Sequence, residues 1–130
     1  MISKISLATA LITVFSTSAT IAQDNWSDTK IISQHVSGTV HMLEGMGGNI
    51  GVSAGDEGIL IIDDQFAPLA EKIAASIGDI AKTPMKYVVN THYHGDHTGS
   101  NAYFQEIQGS TIFAHDNVRK RLAAKDDHTH

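Results

Sequence analysis

The chain has 130 residues, no cysteine and a formal net charge of -5 at pH 7, with 18% charged residues. This length suits one small domain. Without cysteine, a disulfide framework, a thiolate zinc site, a cysteine nucleophile and a lipid anchor on a cysteine are all excluded. No basic patch or run of lysine and arginine in the sequence suggests nucleic acid, so we expect none as a partner. Any metal must be held by histidine nitrogens and by carboxylate or water oxygens, which favours zinc first and iron or manganese second.

Residues 1–22 have the pattern of a secretory signal peptide. Lys4 is their one charged residue, an apolar run follows at residues 7–15, and Thr-Ile-Ala at 20–22 is an acceptable cleavage site. The apolar run is too short to span a bilayer as a stable helix, and its many hydroxyl neighbours fit a buried helix poorly. We therefore expect secretion, to a bacterial periplasm, of a domain over residues 23–130 that does not contact the membrane after cleavage.

Short β-strands dominate the first half of the predicted domain. Residues 30–36 and 39–43 are strand candidates separated by a Ser-Gly break. The glycine-rich bend that follows does not fit a dinucleotide-binding loop. A second pair of strands is predicted at residues 49–54 and 58–62. Because residues 59–62 are all apolar and do not alternate with polar residues, we expect this strand to be covered on both faces.

Helical spacing replaces the strand pattern at residues 66–80. Apolar residues recur there every three or four positions and predict one core-facing side: Phe66, Leu69, Ala70, Ile73, Ala74, Ile77 and Ile80. Asp63 and Asp64 stand just before this helix. They either cap it or serve a functional site, and for Asp63 we favour a supporting role at a site.

The rest of the chain alternates strands and helices. We predict strands at residues 85–90 and 111–114, a short helix at 98–104 and a last helix at 115–123. Hairpins followed by alternating strands and helices predict an α/β fold with a mixed β-sheet.

Three histidines and one aspartate fall within six positions, as His92-x-His94-x-Asp96-His97, directly after a predicted strand. In an extended chain His92 and His94 point to the same side. Gly95 permits a sharp turn, which would bring Asp96 and His97 back toward the same point. The alternative is a polar loop with solvated histidines, but the density of ligands favours a metal site.

One or two zinc ions would suit this order of ligands. His92 and His94 would serve one ion, and Asp96 and His97 the other. Asp96 is also placed to orient a nucleophilic water or to take its proton, so it is our candidate catalytic residue.

Residues 91–101, Thr-His-Tyr-His-Gly-Asp-His-Thr-Gly-Ser-Asn, resemble the signature of the metallo-β-lactamase superfamily. Residues 58–63 are similar to that family's strand ending in an acidic residue that braces the metal loop. Residues 49–51 and 113–115 are similar to two further strands, so the resemblance covers about residues 31–122. It implies an αββα sandwich and the hydrolysis of a small-molecule substrate by a hydroxide bound to zinc.

The resemblance also implies a role for each residue of the motif. Carried over by position, His92 and His94 belong to the first zinc site, and Asp96 and His97 to the second. Asp63 corresponds to the acidic residue that braces the metal loop.

The family completes its metal site with a histidine, an aspartate and another histidine from the later half of the domain. The chain reaches only to His130, so we expect the first half of the sandwich, truncated at the C-terminal end, and little or no turnover from this chain alone. The charged tail is expected to be solvated and frayed. The other histidines are not assigned to the site: His35, His41, His115, His128 and His130.

The leading interpretation is an exported zinc-dependent hydrolase that cleaves an amide, ester, thioester or phosphoester bond. It would resemble a β-lactamase or, at full length, a thioesterase similar to glyoxalase II. The alternative is an inactive, truncated metal-binding remnant whose exposed apolar sheet face predicts self-association. Two copies could also pair into a sandwich, which would still lack the later ligands. The coding frame beyond His130 separates these interpretations, since about another hundred residues with isolated His and Asp at strand ends would favour the enzyme.

Overall fold

The computed structural model describes residues 25–126, and its six strands form one sheet in chain order. The strands β1 to β4 pair antiparallel, whereas the pairs β4–β5 and β5–β6 are parallel. The mixed α/β sheet predicted from the sequence is therefore confirmed. Its strands are β1 (Ile32–Ser37), β2 (Val40–Glu44), β3 (Asn49–Gly55), β4 (Gly58–Ile62), β5 (Met85–Asn90) and β6 (Thr111–Ala114).

Helices connect the later strands. They are α1 (Ala70–Ile80), α2 (Gly95–Thr98), α3 (Asn101–Glu106) and α4 (Asp116–Asp126). The first predicted helix begins later than expected, because Ala67–Leu69 winds as a 3-10 helix before α1. Pro68 lies within this tight turn, where its missing N–H costs no α-helical hydrogen bond. Helix α2 was not predicted.

The hydrophobic core lies between one face of the sheet and the helices. It is built from strand residues such as Ile61 and Val88 and from helix residues such as Ile73, Ile77 and Phe104, each at most 1% exposed. Burying these apolar side chains provides the main driving force for folding.

The expectation that β4 is covered on both faces is wrong for the described residues. Ile59 and Ile61 are buried against the helices, whereas Ile62 is 44% exposed. Successive side chains of a strand point to opposite faces, and the helices cover one of them. Within the described residues, the continuous apolar run of β4 therefore does not mean that both faces of the strand are covered.

Two sequence predictions lie outside the described residues. These are the signal peptide at residues 1–22 and the tail at residues 127–130. Between residues 25 and 126, no helix has the length and apolar character needed to cross a membrane.

Parallel pairing of β4 with β5 brings the ends of these two strands together. Ile62 pairs with Val89, and the Asp63 N–H donates a hydrogen bond to the Val89 carbonyl at 2.9 Å. The residues that follow each strand therefore meet at the same edge of the sheet. The predicted metal-binding motif begins at this edge.

Candidate metal centre

The metal-binding motif leaves β5 as an extended segment and then winds into the short helix α2. His94 is extended, with φ -66° and ψ 149°, and precedes the first residue of the helix. Its carbonyl accepts hydrogen bonds from the N–H groups of His97 and Thr98 at 3.0 and 3.1 Å. This helical turn brings Asp96 and His97 back toward the strand end.

Gly95 does not make this turn through its conformational freedom. Among the described residues, the glycines with positive φ are Gly38, Gly48, Gly58 and Gly109. The predicted change of direction at Gly95 does occur, but a regular helical turn makes it and not a conformation that only glycine adopts.

All four predicted ligands lie together. His92 Nε2 is 3.2 Å from His94 Nδ1, and His97 Nε2 is 3.3 Å from Asp96 Oδ2. The rings of His92 and His97 have centroids 3.9 Å apart. His92, Asp96 and His97 each offer a ligand atom within 4.8 Å of the other two. The side chains of Asp96 and His97 are 35% and 23% exposed, so the cluster is open to solvent.

These separations fit a tetrahedral metal. Two ligand atoms bound at about 2.0–2.1 Å to one tetrahedral zinc are roughly 3.3 Å apart. Both close pairs, His92 with His94 and Asp96 with His97, have nearly this separation. Imidazole and carboxylate groups are also the donors that zinc accepts. The donor set therefore suits zinc, and the division into two pairs stays a prediction.

Asp63 braces the motif from the end of β4. Its Oδ1 accepts a hydrogen bond from the Thr91 N–H at 2.8 Å, and its Oδ2 accepts one from the Thr91 hydroxyl at 2.7 Å. The same Oδ2 lies 2.8 Å from His97 Nδ1. A carboxylate at this position holds a proton on Nδ1 and leaves Nε2 of His97 free for a metal.

The brace extends to His92 through Thr91. The Thr91 hydroxyl donates its proton to Asp63, so it is left to accept one from His92 Nδ1, which lies 3.0 Å away. His92 then also presents an unprotonated Nε2 toward the cluster. One carboxylate thus sets the tautomers of two predicted ligands.

Neither acidic residue at the end of β4 caps the helix that follows. The 3-10 helix is preceded by Phe66, and no side chain bonds to its free N–H groups. Of the two interpretations of Asp63, the supporting role is the one that the hydrogen bonds match.

Asp64 is fully buried beneath the motif. Its Oδ1 accepts a hydrogen bond from the Ser100 N–H at 3.0 Å, while its Oδ2 has no partner among the described residues. Burial, opposed in part by the Ser100 hydrogen bond and reinforced by the charge of Asp63, raises the pKa of Asp64 to about 7.

Two asparagines that the sequence analysis did not assign hold the motif from the other side. Asn90 Nδ2 donates to the His97 carbonyl at 3.0 Å, and Asn101 Nδ2 donates to Asn90 Oδ1 at 2.8 Å. The available signal was Asn90, a polar residue directly after the apolar pair Val88 and Val89 at the end of β5, because a buried amide needs partners.

The glycine-rich bend between β2 and β3 lies against the motif. A Cβ atom on Gly47 would be 2.8 Å from Asp96 Cβ and 2.7 Å from the Phe66 ring. Only glycine allows the bend to approach this closely. Residues 45–48 therefore form one wall of the candidate metal centre.

Comparisons with known proteins agree with this geometry. The profile of the metallo-beta-lactamase superfamily matches residues 43–129, which is more than half of the chain. Comparison with curated protein sequences gives no match.

Solved metallo-β-lactamases share the fold. MIM-1 from Novosphingobium pentaromativorans is 27% identical with a TM-score of 0.56, covering 62% of this chain and 30% of its own. SMB-1 bound to 2-mercaptoethanesulfonate is 26% identical with a TM-score of 0.58, covering 68% and 34%. MEM-A1, a subclass B3 enzyme from a soil metagenome library, is 25% identical with a TM-score of 0.59, covering 68% and 34%.

The chain thus corresponds to 30–34% of the length of these three proteins. The motif at residues 91–101, the bracing carboxylate of Asp63 and the strands β3 to β6 lie inside the matched region. The chain belongs to the metallo-β-lactamase superfamily.

Proposed function

We propose that the chain carries part of the active centre of a zinc-dependent hydrolase. His92, His94, Asp96 and His97 would hold one or two zinc ions. The observation that carries this proposal is the pair of ligand separations of 3.2 and 3.3 Å, backed by the buried carboxylate of Asp63. A carboxylate that fixes the tautomers of two histidines is typical of a metal site and is not required in a solvated polar loop.

Zinc bound at this centre would supply Lewis acidity and lower the pKa of a coordinated water to about 7. The chain's own residues prepare for that chemistry. Asp63 keeps Nε2 of His92 and His97 unprotonated. Asp96, part-exposed at the cluster, is placed to orient the attacking water or to accept its proton.

The substrate class that we favour is a small molecule with a hydrolysable amide bond, of the β-lactam type. The support is the likeness to solved metallo-β-lactamases at 25–27% identity. Thioester hydrolysis is the next candidate, because the same activated water would attack a thioester carbonyl. We further propose export to the periplasm, on the leader pattern of residues 1–22.

A second candidate is metal binding without turnover by this 130-residue chain. The observation that favours it is the small number of protein ligands, two for each ion if both are bound. A catalytic zinc site usually has three protein ligands and one open position.

The test is zinc affinity followed by a substrate panel. We expect the purified chain to bind zinc, and His94→Ala to lower its zinc affinity by at least about 10-fold, since half of one ligand pair is lost. Competition with a chromophoric chelator measures the affinity. A chromogenic β-lactam, a thioester and a phosphoester then measure hydrolysis with and without chelator.

His35→Ala is the matched control, because His35 lies on β1 and is exposed. It should leave zinc affinity unchanged. The assignment would be contradicted if the His94→Ala variant bound zinc as tightly as the wild type. It would also be contradicted if that variant still hydrolysed a substrate in a chelator-sensitive way. Zinc binding without hydrolysis of any substrate would favour the second candidate.

A further inference from the structure

Gln65 connects the glycine-rich bend of residues 45–48 to the metal-binding motif. It is only 1% exposed, and its Nε2 donates a hydrogen bond to the Gly48 carbonyl. Its own carbonyl accepts a hydrogen bond from the Ser100 N–H at 3.1 Å. Ser100 lies just after helix α2, so the bend and the end of the motif are both bound to this one residue.

The backbone of Gln65 has a conformation that glutamine rarely adopts. Its φ is 57°, in the left-handed region where glycine, asparagine and aspartate are the common residues. Strain of this kind persists only where the surrounding structure imposes it, and it is concentrated at functional sites. The hydrogen bonds of the Gln65 carbonyl and side chain hold the residue in this conformation.

The amide group of Gln65 is kept at a cost in hydrogen bonding. Its Oε1 is buried and has no partner among residues 25–126. A buried acceptor without a partner destabilises the folded state, and an apolar side chain of the same size would avoid that cost. The amide group therefore acts through its donor, the Nε2 that bonds to Gly48.

The Gly48 carbonyl accepts hydrogen bonds from two directions. One comes from the Gly45 N–H at 3.3 Å and closes the bend on itself. The other comes from the Gln65 side chain, and a carbonyl oxygen has lone pairs for both. Of these two bonds, only the one from Gln65 ties the bend to the segment that follows β4.

The bend contacts Asp96 through Gly47. A Cβ atom on Gly47 would lie 2.8 Å from Asp96 Cβ and 2.7 Å from the ring of Phe66, which follows Gln65 in the chain. Gly47 is therefore in van der Waals contact with the carbon that carries the Asp96 carboxylate. If the bend moved away, the Asp96 side chain would have room for other rotamers.

We propose that Gln65 is a positioning residue that holds residues 45–48 against Asp96 and thereby fixes the rotamer of the Asp96 carboxylate. In this rotamer Asp96 Oδ2 lies 3.3 Å from His97 Nε2, on the side of the other predicted ligands. The consequence for metal binding rests on the proposed function. The contact between the bend and Asp96 does not depend on a metal.

Nuclear magnetic resonance of the metal-free chain tests the contact itself. The wild type should show a strong nuclear Overhauser effect between Gly47 Hα and Asp96 Hβ, and a single Asp96 χ1 rotamer. Gln65→Met keeps an unbranched side chain but removes the donor, so it should weaken this effect about 2-fold or more and average χ1 over rotamers. Gln105→Met, at an exposed position of α3, is the matched control and should change neither signal.

A double-mutant cycle tests whether Gln65 acts through Asp96. Gln65→Met should lower zinc affinity about 10-fold, as the loss of a group that orients a ligand does. The same change in an Asp96→Ala background should have little further effect, because the carboxylate that it positions is gone. In a His94→Ala background the loss should persist, because His94 does not contact the bend in this scheme. A general loss of folding would lower zinc affinity in both backgrounds.

Gly47→Ala is a second variant, in which Gln65 is unchanged. The added methyl group would push the bend away from Asp96 directly. It should therefore release the Asp96 rotamer and lower zinc affinity as Gln65→Met does. Gly78→Ala is its control, since no atom lies within 4 Å of the position that this Cβ would take.

A single Asp96 rotamer retained in both Gln65→Met and Gly47→Ala would overturn the proposal. So would an equal loss of zinc affinity from Gln65→Met with and without the Asp96 carboxylate, because Gln65 would then only support the fold. If the wild type binds no zinc, the proposed function fails. Release of the Asp96 rotamer in the metal-free Gln65→Met variant would still support the role of Gln65.

Discussion

Asp63 holds the metal-binding motif in place through hydrogen bonds, although it lies outside the motif. It accepts three hydrogen bonds, two from Thr91 and one from His97, while it is only 5% exposed. It also adopts a left-handed backbone conformation, with φ 62°, which costs energy for most residues. The hydrogen bonds that it makes offset this cost and fix the orientation of two histidines.

Asp63→Asn tests this brace. Asparagine tolerates positive φ, so the change removes the charge and one acceptor while it keeps the backbone. We expect zinc affinity to fall about 10- to 100-fold, the usual effect of losing the partner of a ligating histidine. Competition with a chelator measures it. Asp56→Asn, on the exposed β3–β4 turn, is the control, and equal affinity in both variants would contradict the brace.

Asp64 makes the stability of the metal-free protein depend on pH. Its pKa is raised from 3.8 to about 7 by burial, so the folded state holds a proton that the unfolded state releases. The stability that Asp64 contributes is then fully present below about pH 4, is lost as the pH rises to about 7, and does not change above that. The expected loss is up to about 4 kcal/mol, from roughly 1.4 kcal/mol per pH unit.

Denaturant unfolding at several pH values, in the presence of a chelator, measures this slope. Asp64→Asn carries no titrating group and should flatten it between pH 4 and 7. Asp79→Asn changes an exposed aspartate of α1 and should keep the slope of the wild type. A slope that is identical in all three proteins would show that Asp64 does not titrate in this range.

At the scale of elements, the short helix α2 depends on close contact with the segment after β4. A Cβ atom on Gly99 would be 2.7 Å from the Gln65 carbonyl oxygen and 3.0 Å from the Ala67 nitrogen. Both contacts are with backbone atoms, which cannot move aside as a flexible side chain does. Glycine at this position therefore lets the motif pack on the strand end beneath it.

Gly99→Ala should lower the free energy of unfolding by about 1–3 kcal/mol, the usual cost of overpacking. Gly95→Ala is the matched comparison, since no atom lies within 4 Å of the position its Cβ would take. Because Gly95 is helical, alanine there should leave stability unchanged or raise it by up to about 1 kcal/mol. Urea unfolding of both metal-free variants provides the measurement, and equal effects would contradict the packing argument.

At the scale of the whole molecule, the sheet supports both the metal-binding motif and the hydrophobic core. The C-terminal ends of β4 and β5 carry the metal-binding motif and its brace. The flat of the same sheet buries Ile61 and Val88 on one side and leaves Ile62 and Tyr87 exposed on the other.

Strands were the most predictable part of the fold. The predicted bounds of β5 and β6, residues 85–90 and 111–114, agree with the structure, because β-branched and aromatic runs between turn residues have few alternatives. Helix α2 was missed, since four residues are too few to show helical spacing. The predicted coverage of β4 on both faces is not found within residues 25–126, where Ile62 is 44% exposed, because an apolar run does not specify which elements pack on each face.

The ligands and their brace were predictable to different degrees. His92, His94, Asp96 and His97 are ligand types at close spacing, and the prediction that they gather at a strand end agrees with the structure. A supporting role for Asp63 was predicted from its place at the end of a strand, and the family resemblance specified that it braces the metal loop. Asn90 offered a weak signal as a polar residue at a strand end, but its partners were not predictable, because the His97 carbonyl and Asn101 come near it only on folding.

By itself, the sequence determined the family, the ligand types and the order of strands and helices, since these depend on residue chemistry and local spacing. Tertiary structure decided which histidine nitrogens face the cluster, because parallel pairing of β4 with β5 places Asp63 beside Thr91 and His97. Among residues 25–126 it also decided which side chains of β4 are buried, since successive side chains alternate between the faces while these helices cover one of them.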